Sequence, residues 1–464
     1  MKVTKIEGFS TLIIFIIAAA ILSASQSVVT TSLTDIMSDF GINSITAQWI
    51  YSVFLLVLGV MIPTSAFITK RFTVKTILTT SLGLFIIGCL IAYVAPNIVI
   101  LIIARIIQAI GCGILLPITQ IVLFKVIPKE KWQIFMGLFG LIIGIAPALA
   151  PTLGGIIIDA INWRAIFIIF AVITIIILIC GLITWKLDFG TEDYPLDVTS
   201  LFLSVVAFVG IMLGFTDIAQ YKFDLVFVIL PIVIGVIALI FFVKRQISIE
   251  HPLLHLKALK NKYFVAGTVF SAILYFTMCG INVIIPLFVQ SIAFHSATTA
   301  GIVLLPGTIV MIIFNFVGPV LATKIGVRKV LILSCIFTFV GFISMMTYNI
   351  ESNITYMVIT QIIRCIGAGL GLMPCVTWTI STVSKGVEDA TAINNTVRQI
   401  IGSIGAAMSV VIMAIFAGGA IGHNIISVAA FGNTSLVMAI LTIISLIIVL
   451  IYIKNIEEEE GVGE

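Results

Sequence analysis

The stretch IVILIIARIIQAIGCGILLPITQIV, residues 98–122, decides the class of fold. Its one charged residue is Arg105, and the run is longer than the roughly 20 apolar residues that an α-helix needs to cross a bilayer. The whole chain of 464 residues follows this pattern, with 61% hydrophobic and 9% charged residues. Soluble domains carry about 25% charged residues and disordered chains carry few hydrophobic ones, so both classes are excluded. The sequence predicts an all-α polytopic membrane protein, because a β-barrel would show short alternating strands instead.

Further apolar runs of similar length give the number of membrane segments. We predict fourteen of them, and an even number places both termini on the same side of the membrane. The segments lie near residues 9–31, 46–69, 76–95, 98–122, 134–158, 164–185, 198–217, 223–243, 264–290, 298–322, 329–348, 354–380, 392–417 and 432–453.

The basic residues are distributed unevenly between the two sides of these segments. Nineteen of the 24 lysines and arginines fall in the termini or in loops on one side, whereas the loops of the other side hold only Arg164 and Lys222. Because cytoplasmic loops carry an excess of basic residues, we expect a multi-pass protein of the cytoplasmic membrane with both termini in the cytoplasm. The nineteen are Lys2, Lys5, Lys70, Arg71, Lys75, Lys125, Lys129, Lys131, Lys186, Lys244, Arg245, Lys257, Lys260, Lys262, Lys324, Arg328, Lys329, Lys385 and Lys454.

The two halves of the chain also contain segments that resemble each other. The turn TKRFTVK at 69–75 matches TKIGVRK at 323–329, and IGCG at 110–113 matches IGAG at 366–369, at offsets of 254 and 256 residues. Chance similarity between apolar segments is the alternative, but basic turns at a nearly constant offset favour an internal repeat. Repeats of this kind build many secondary transporters. The predicted organisation is 6+2+6, with an N-terminal six-helix bundle at 1–190, two linker helices and a loop at 191–262, and a C-terminal six-helix bundle with an acidic tail at 263–464.

Three arginines lie within the predicted membrane segments. An arginine near the bilayer centre costs about 2.5–3.5 kcal/mol on insertion scales, so these side chains are expected to face a polar interior. Each has an amide side chain three or four residues away, on the same helical face. The alternative is a structural arginine bonded to backbone carbonyls. The predicted substrate or proton pathway comprises Arg105, Gln108, Gln361, Arg364, Asn394 and Arg398.

The fifth segment, GLFGLIIGIAPALAPTLGG at 137–155, carries small and helix-bending residues at intervals of three and four. Small residues let helices approach closely, and prolines bend them. This face is predicted to be a moving contact between helices, with static close packing as the alternative. Its members are Gly144, Pro147, Pro151, Gly154 and Gly155.

Several of these motifs resemble the major facilitator superfamily, and within it the fourteen-spanner drug:proton antiporters that include lincomycin-resistance exporters. RIIQAIGCG, from Arg105, resembles the fourth-helix motif R-x-x-Q-G-x-G, with Ala109 in a glycine place. APALAPTLGG at 146–155 resembles the antiporter motif of the fifth helix, with Ala150 in place of its second glycine. Asp159, Trp163, Arg164 and Phe167 match the element D-x-x-x-W-R-x-x-F. The resemblance covers essentially the whole chain, and implies the major facilitator fold and export of drug-like compounds in exchange for protons.

Two departures from the family pattern affect the expected mechanism. The basic turn at 66–75 has Lys70 where the family has aspartate, so a charge-relay gate is in doubt, although Lys70, Arg71 and Lys75 remain candidates for a cytoplasmic gate. The first helix has Ser25 in the place of an acidic residue. The usual proton carrier in a membrane is a buried carboxylate, and no acidic residue lies mid-membrane.

The remaining coupling candidates are acids near helix ends. Asp35 and Asp217 are predicted for this role, with solvated loop acids as the alternative. Aromatic residues in the second half are candidates to stack on a substrate, with simple packing as the alternative. These aromatic residues are Tyr275, Phe276, Phe314, Phe316 and Trp378.

The leading hypothesis is a secondary exporter of amphipathic drug-like molecules that works by alternating access. Within transporters, uptake and a specific anionic or neutral metabolite remain alternatives. A lipid-modifying enzyme and a receptor or scaffold are hypotheses of other classes, but no clustered catalytic set supports the enzyme. The predicted partners are a small-molecule substrate, protons and the lipid bilayer. We expect no nucleic acid, no cofactor, no metal site and a monomer.

Overall fold

The computed structural model describes residues 5–64, 68, 71–127, 132–184, 197–221, 224–249, 252–253, 256–383, 387–417 and 427–453. These residues are helical almost throughout, and no β-strand occurs among them. The first half contains eight α-helices in the described residues. They are α1 (Lys5–Val28), α2 (Leu33–Phe40), α3 (Ser44–Ala47), α4 (Trp49–Met61), α5 (Val74–Tyr93), α6 (Ile98–Val126), α7 (Trp132–Ala160) and α8 (Trp163–Thr184).

The remainder of the chain adds a helical pair and a second bundle. The pair is α9 (Val198–Tyr221) and α10 (Leu230–Ser248). The second bundle contains α11 (Lys262–Leu287), α12 (Ala297–Ile325), α13 (Val327–Met345), α14 (Ile354–Ser381), α15 (Val387–Phe416) and α16 (Val428–Tyr452). Short π-helical turns begin α10 at Leu225–Ile229 and end α11 at Phe288–Ile292, and short 3-10 turns occur at Ile62–Thr64 and Leu256–Lys260.

The predicted all-α membrane architecture is confirmed. Among the described residues, 13 helical segments are long and apolar enough to cross a membrane. The fifth predicted segment falls in α7, whose apolar stretch Ile145–Ala160 is shorter than these spans. The exact number of fourteen spans therefore stays a prediction. In the first segment, the membrane helix ends at Val28, and a turn separates it from α2.

Polar side chains determine where many of these helices begin. Asn97 accepts a hydrogen bond from the backbone N–H of Ile100 at 3.0 Å, which satisfies one of the free donors in the first turn of α6. Serine, threonine or asparagine caps other helices in the same way. These caps are Thr73 for α5, Asn261 for α11, Ser296 for α12, Asn353 for α14 and Ser427 for α16.

The two bundles meet along two pairs of helices. Helix α7 of the first bundle packs on α12 of the second, and α4 packs on α15. The helical pair α9–α10 lies against the second contact, where Leu56, Met212 and Ala407 form a small apolar cluster. The division into three parts at 190 and 262 stays a prediction, although this arrangement agrees with a linker pair outside two bundles.

Basic residues collect at one end of the bundle, which we call the basic end. It includes the turn between α12 and α13, the start of α11 and the turn before α5. The described basic residues there include Arg71, Lys75, Lys257, Lys260, Lys262, Lys324, Arg328 and Lys329. The opposite end contains α2, the end of α7 and the start of α12.

Candidate functional site

Arg105 in α6 is completely buried, with 0% of its side chain exposed. Its Nε–H donates to the backbone carbonyl of Ile50 at 3.1 Å, and its Nη2 donates to the carbonyl of Ser25, also at 3.1 Å. Its Nη1 donates to Gln108 Oε1 at 2.6 Å and to the Ser25 hydroxyl at 3.3 Å, and the guanidinium lies 4.2 Å from the Phe54 ring centroid. None of these partners is a carboxylate. Arg105 thereby fastens α1, α4 and α6 together.

Arg364 in α14 is buried to nearly the same extent, but its bonds are different. Its Nε–H donates to Gln361 Oε1 at 2.9 Å, and its Nη2 donates to Cys365 Sγ at 3.2 Å. Both partners belong to its own helix. Gly341 of α13 packs against this residue so closely that an added Cβ would lie 2.5 Å from Arg364 Cβ. Among the described residues, the hydrogen bonds of Arg364 therefore stay within α14.

The two halves exchange the positions of these side chains. At the offset of 256 residues that aligns IGCG with IGAG, Arg105 corresponds to Gln361, and Gln108 corresponds to Arg364. Each half keeps one arginine and one glutamine three residues apart, and the pair is hydrogen-bonded in both. Both halves therefore contain the same pair of side chains. The guanidinium projects from a position three residues later in α14 than in α6, when the two helices are aligned.

A polar cluster lies between the halves, and we call it the seam cluster: Gln26, Tyr51, Tyr275, Asn282 and Arg398. The guanidinium of Arg398 in α15 lies 5.2 Å from the ring centroid of Tyr275 in α11. The hydroxyl of Tyr275 faces Gln26 of α1, and Tyr51 of α4 faces Asn282 of α11. The cluster thus combines two helices from each half.

Several hydrogen-bonding groups beside the seam cluster have no partner. Arg398 donates from Nη2 to Asn395 Oδ1 at 3.2 Å, but its buried Nε has no partner in the described structure. One turn earlier, Asn394 accepts from the Ser271 hydroxyl at 3.0 Å, while its Nδ2 is likewise buried and unpaired. The free Nδ2 of Asn394 and the free Nε of the Arg398 guanidinium make this face of α15 suited to an acceptor or an anion.

The end of the bundle opposite the basic end is closed by the glycines of the fifth-segment motif. A Cβ added to Gly155 would lie 2.6 Å from the carbonyl oxygen of Ala297, and one added to Gly154 would lie 2.6 Å from a methyl group of Val28. Only glycine permits such an approach of two backbones. These residues bring α7 against α12 of the other half and against α1.

Hydrogen bonds across the halves reinforce this closed end. In one of them the acceptor is the carboxylate of Asp159, which meets the first turn of α12, where helix N-termini favour negative charge. The donor–acceptor pairs are Thr152 Oγ1 to Gly301 O, Thr298 N to Asp159 Oδ2 and Gln290 Nε2 to Thr31 O, each at 3.0 Å.

The remaining members of the motif lie along the same helix. Gly144 is within α7, Pro147 is half-buried and Pro151 is buried. The carbonyl of Pro151 accepts a hydrogen bond from Thr31 Oγ1 at 3.3 Å. Both prolines are inside the helix, where each removes one backbone hydrogen bond. Whether this helix is a hinge stays a prediction.

The two coupling candidates occupy different positions. Asp35 is half-buried in α2 at the closed end, and its burial, together with the charge of Asp159, raises its pKa above the ordinary value. Asp217 is half-buried near the end of α9, outside the two bundles. The structure therefore places Asp35 at the closed end, and Asp217 on the helical pair that lies against the α4–α15 contact.

Another acid at the closed end is already paired. Asp39 forms an ion pair with Arg164 and accepts a hydrogen bond from Trp163 Nε1 at 3.1 Å. The hydrogen bond from Arg164 holds the pKa of Asp39 below its ordinary value. The element that begins at Asp159 thus contributes a contact across the halves through Asp159, and contacts within the first half through Trp163 and Arg164.

The structure describes two of the three residues of the predicted gate at the basic end. Lys70 lies outside the described residues, whereas Arg71 and Lys75 are both exposed. The sequence predicted Arg398 and Tyr275 as candidates but did not single out Gln26, Tyr51 or Asn282. Each of these three residues is a polar group inside an apolar run, and the sequence shows that much. Hydropathy does not indicate in which direction the side chain points.

Comparison with known proteins decides the family. A model described as the Major Facilitator Superfamily matches residues 15–406. The chain belongs to the major facilitator superfamily. It is 32% identical over 404 residues to the uncharacterised MFS-type transporter YcnB of Bacillus subtilis, covering 86% of this chain and 85% of that protein. The lincomycin resistance protein LmrB of the same organism is 32% identical over 396 residues, covering 84% and 82%.

Solved structures agree on the fold. A bacterial homologue of the human lysosomal transporter Spinster, in an inward-facing and unoccupied conformation, has a TM-score of 0.70 and 14% identity over 97% of this chain and 98% of that chain. At this identity the likeness shows the fold alone. This major facilitator protein is accordingly a membrane transporter, and the predicted family and its multidrug-type relatives are confirmed.

Proposed function

We propose that this transporter exports amphipathic small molecules across the cytoplasmic membrane in exchange for protons, with the basic end and both termini in the cytoplasm. The observation that carries the proposal is the seam cluster, because it draws polar groups from both halves to one place between them. A site shared by two bundles changes its exposure when the bundles rock, which is the requirement for alternating access.

The closed end supports an inward-facing state for this conformation. In this orientation α7 and α12 are sealed on the outer side by Gly155, Ala297 and the hydrogen bond between Thr152 and Gly301. Opening to the outside would separate these contacts and bring α7 and α12 together at the cytoplasmic side. The fifth-helix motif then acts as the moving contact that the sequence predicts.

The seam cluster favours substrates with an acceptor or a negative charge. Arg398 contributes a guanidinium, and Asn394 and Arg398 each retain a free donor. No carboxylate is among the seam-cluster residues, so an organic cation would meet no counter-charge there. The same residues also suit the alternative, a transporter for one anionic or neutral metabolite. Such a transporter would differ from a multidrug exporter in its narrow substrate range.

Transport in inverted membrane vesicles tests the proposal. We expect an imposed proton gradient to drive uptake of a carboxylate-bearing amphiphile, and Arg398→Gln to reduce this uptake roughly tenfold because a charge-assisted hydrogen bond is lost. The methyl ester of the same compound should be transported equally by both forms. If no neutral, anionic or cationic amphiphile moves with the gradient, the antiporter proposal is wrong. Equal uptake of the acid by both forms would instead place the substrate site elsewhere.

A further inference from the structure

Helices α12 and α14 are in close contact over much of their length. A Cβ added to Gly307 would lie 2.8 Å from Gln361 Cγ, and one added to Gly369 would lie 2.6 Å from the carbonyl oxygen of Met311. Nearer the basic end, a Cβ on Gly318 would lie 2.8 Å from Pro374 Cγ. No ligand fits between the helices along this stretch.

Beyond Gly318 and Pro374 the same two helices separate and enclose a crevice. Its volume is about 650 Å³, within the range of roughly 300–1,000 Å³ found for small-molecule sites. Pro319 and Pro374 lie at its narrow side, and prolines inside helices bend the chain there. The crevice therefore opens as a wedge towards the basic end.

The wedge has an apolar interior and a basic mouth. Pro319, Pro374 and the side chain of Trp378 form the apolar part. The mouth carries the exposed residues Lys324 and Lys329 from the turn between α12 and α13. Hydroxyl groups of Thr323, Thr377 and Ser381 complete the lining.

The three basic residues of this turn have different roles. Arg328 donates from Nη2 to the carbonyl of Leu450 at 2.8 Å and so fastens the turn to α16. Lys324 and Lys329 instead line the crevice, and no described carboxylate forms an ion pair with either. Two positive charges at the rim of an apolar wedge are left without a counter-charge in the described part of the chain.

The neighbouring surface is apolar. On α12, Val317 and Val320 are 41% and 57% exposed, and on α14 Met373 is 39% exposed. Such surface is stable against hydrocarbon, so an acyl chain of a surrounding bilayer would reach the crevice from this side.

We propose that this crevice binds an anionic phospholipid of the adjoining leaflet, with an acyl chain in the wedge between Pro319 and Trp378 and the head-group phosphate at Lys324 and Lys329. The prolines and Trp378 match an acyl chain, and the two ammonium groups match a phosphate. A lipid in this place would hold α12 and α14 apart at the basic end.

Tryptophan fluorescence tests the proposal on the full-length chain. In a variant that keeps Trp378 and replaces Trp49, Trp132, Trp163 and Trp185 by phenylalanine, brominated phosphatidylglycerol in nanodiscs should quench Trp378. Brominated phosphatidylcholine should require a roughly tenfold higher mole fraction for the same effect, because it carries no net negative charge.

Charge-neutralising variants supply the matched control. Lys324→Gln with Lys329→Gln should remove the preference for phosphatidylglycerol, whereas Lys257→Gln with Lys260→Gln, the same change of charge elsewhere at the basic end, should retain it. Equal quenching by both lipids, or a preference that survives the first pair of substitutions, would overturn the proposal. Quenching by a brominated dodecyl phosphate with none by the brominated phospholipid would identify a free amphiphilic anion and overturn the assignment to lipid.

Native mass spectrometry provides a second measurement with all tryptophans in place. The unsubstituted protein and the Lys257/Lys260 variant should each retain one more phosphatidylglycerol than the Lys324/Lys329 variant. Equal numbers in all three would contradict the proposal.

Discussion

The two halves of this transporter bury an arginine in equivalent helices, and they stabilise it by different means. Arg105 donates to two backbone carbonyls of two other helices, Ile50 O in α4 and Ser25 O in α1. In the part of the chain that the structure describes, Arg364 donates to Gln361 and to a cysteine sulfur of its own helix. A backbone carbonyl is a strong acceptor, whereas sulfur is a weak one. The buried arginine thus fastens three helices of the first half, whereas the described bonds of Arg364 join no second helix in its half.

The difference indicates separate roles for the halves. A guanidinium that bridges three helices holds α1, α4 and α6 together as one body. Close glycine contacts occur in both halves, as at Gly111 against Ser81 and Gly367 against Thr338, so they do not distinguish the halves. What differs is the arginine, because the described hydrogen bonds of Arg364 stay within α14. We therefore expect the first bundle to be the more rigid of the two.

Removing each arginine should give the largest difference between the halves. Arg105→Ala removes the hydrogen bonds from α6 to Ile50 O and Ser25 O and should destabilise the protein by on the order of 3 kcal/mol, with transport abolished. Arg364→Ala should lower stability by roughly half as much, since its partners belong to one helix. Thermal unfolding in detergent, followed with the transport assay, measures both. Equal destabilisation would show that Arg105 does not fasten the first half.

Much of this architecture follows from the sequence, but the contacts of Arg105 do not. Hydropathy predicts 98–122 as a segment, and the helix runs from Ile98 to Val126. It also indicates that Arg105 must be satisfied inside the protein. It does not reveal the acceptors, because Ile50 O and Ser25 O are backbone atoms of other helices, and every residue type carries a carbonyl.

The candidate site shows the same limit. The polar residues of α15 were evident because Asn394 and Arg398 recur on one face, and the structure places Arg398 beside Tyr275. Gln26 and Tyr51 were not predicted, since their role depends on the rotation of α1 and α4 about their axes. Helix rotation is set by packing against neighbours, which one sequence without a partner surface does not specify.

Conservative substitution at the two arginines should sharpen the comparison. Lysine keeps the charge but lacks the planar fork that reaches several acceptors. Arg105→Lys should therefore still lose stability, by roughly 1–3 kcal/mol, because one ammonium group does not replace donors to Ile50, Ser25 and Gln108. Arg364→Lys should be tolerated, since Gln361 Oε1 remains within reach of a single donor. Chemical denaturation in mixed micelles distinguishes them, and similar losses for both would contradict the assigned roles.

The next largest effect is expected at the closed end, where α7 of the first bundle meets α12 of the second. In Gly155→Ala the new methyl group meets the backbone of Ala297, so closure should weaken by roughly 1–3 kcal/mol. Gly83→Ala is the matched control, because nothing lies within 4 Å of an added Cβ there. The rate of amide hydrogen exchange in the first turn of α12, after Ser296, should rise in Gly155→Ala and stay unchanged in Gly83→Ala. Faster exchange in the control as well would indicate general loosening of the helices.

The smallest expected effect is the pH dependence of the closed-end contact. It compares Asp35, at the closed end, with Asp217, outside the bundles. Burial raises the pKa of Asp35 above 3.8, so the closed end binds a proton more readily than an open one. The contribution of Asp35 to closure is then fully present below pH 3.8 and is lost as the pH rises through the raised pKa. Spin-label distances between positions Ser38 and Phe294 should lengthen over this interval. Asp35→Asn should abolish the change, whereas Asp217→Asn should retain it, because Asp217 lies on α9 away from this contact. A response that persists in Asp35→Asn would assign the titration to another group.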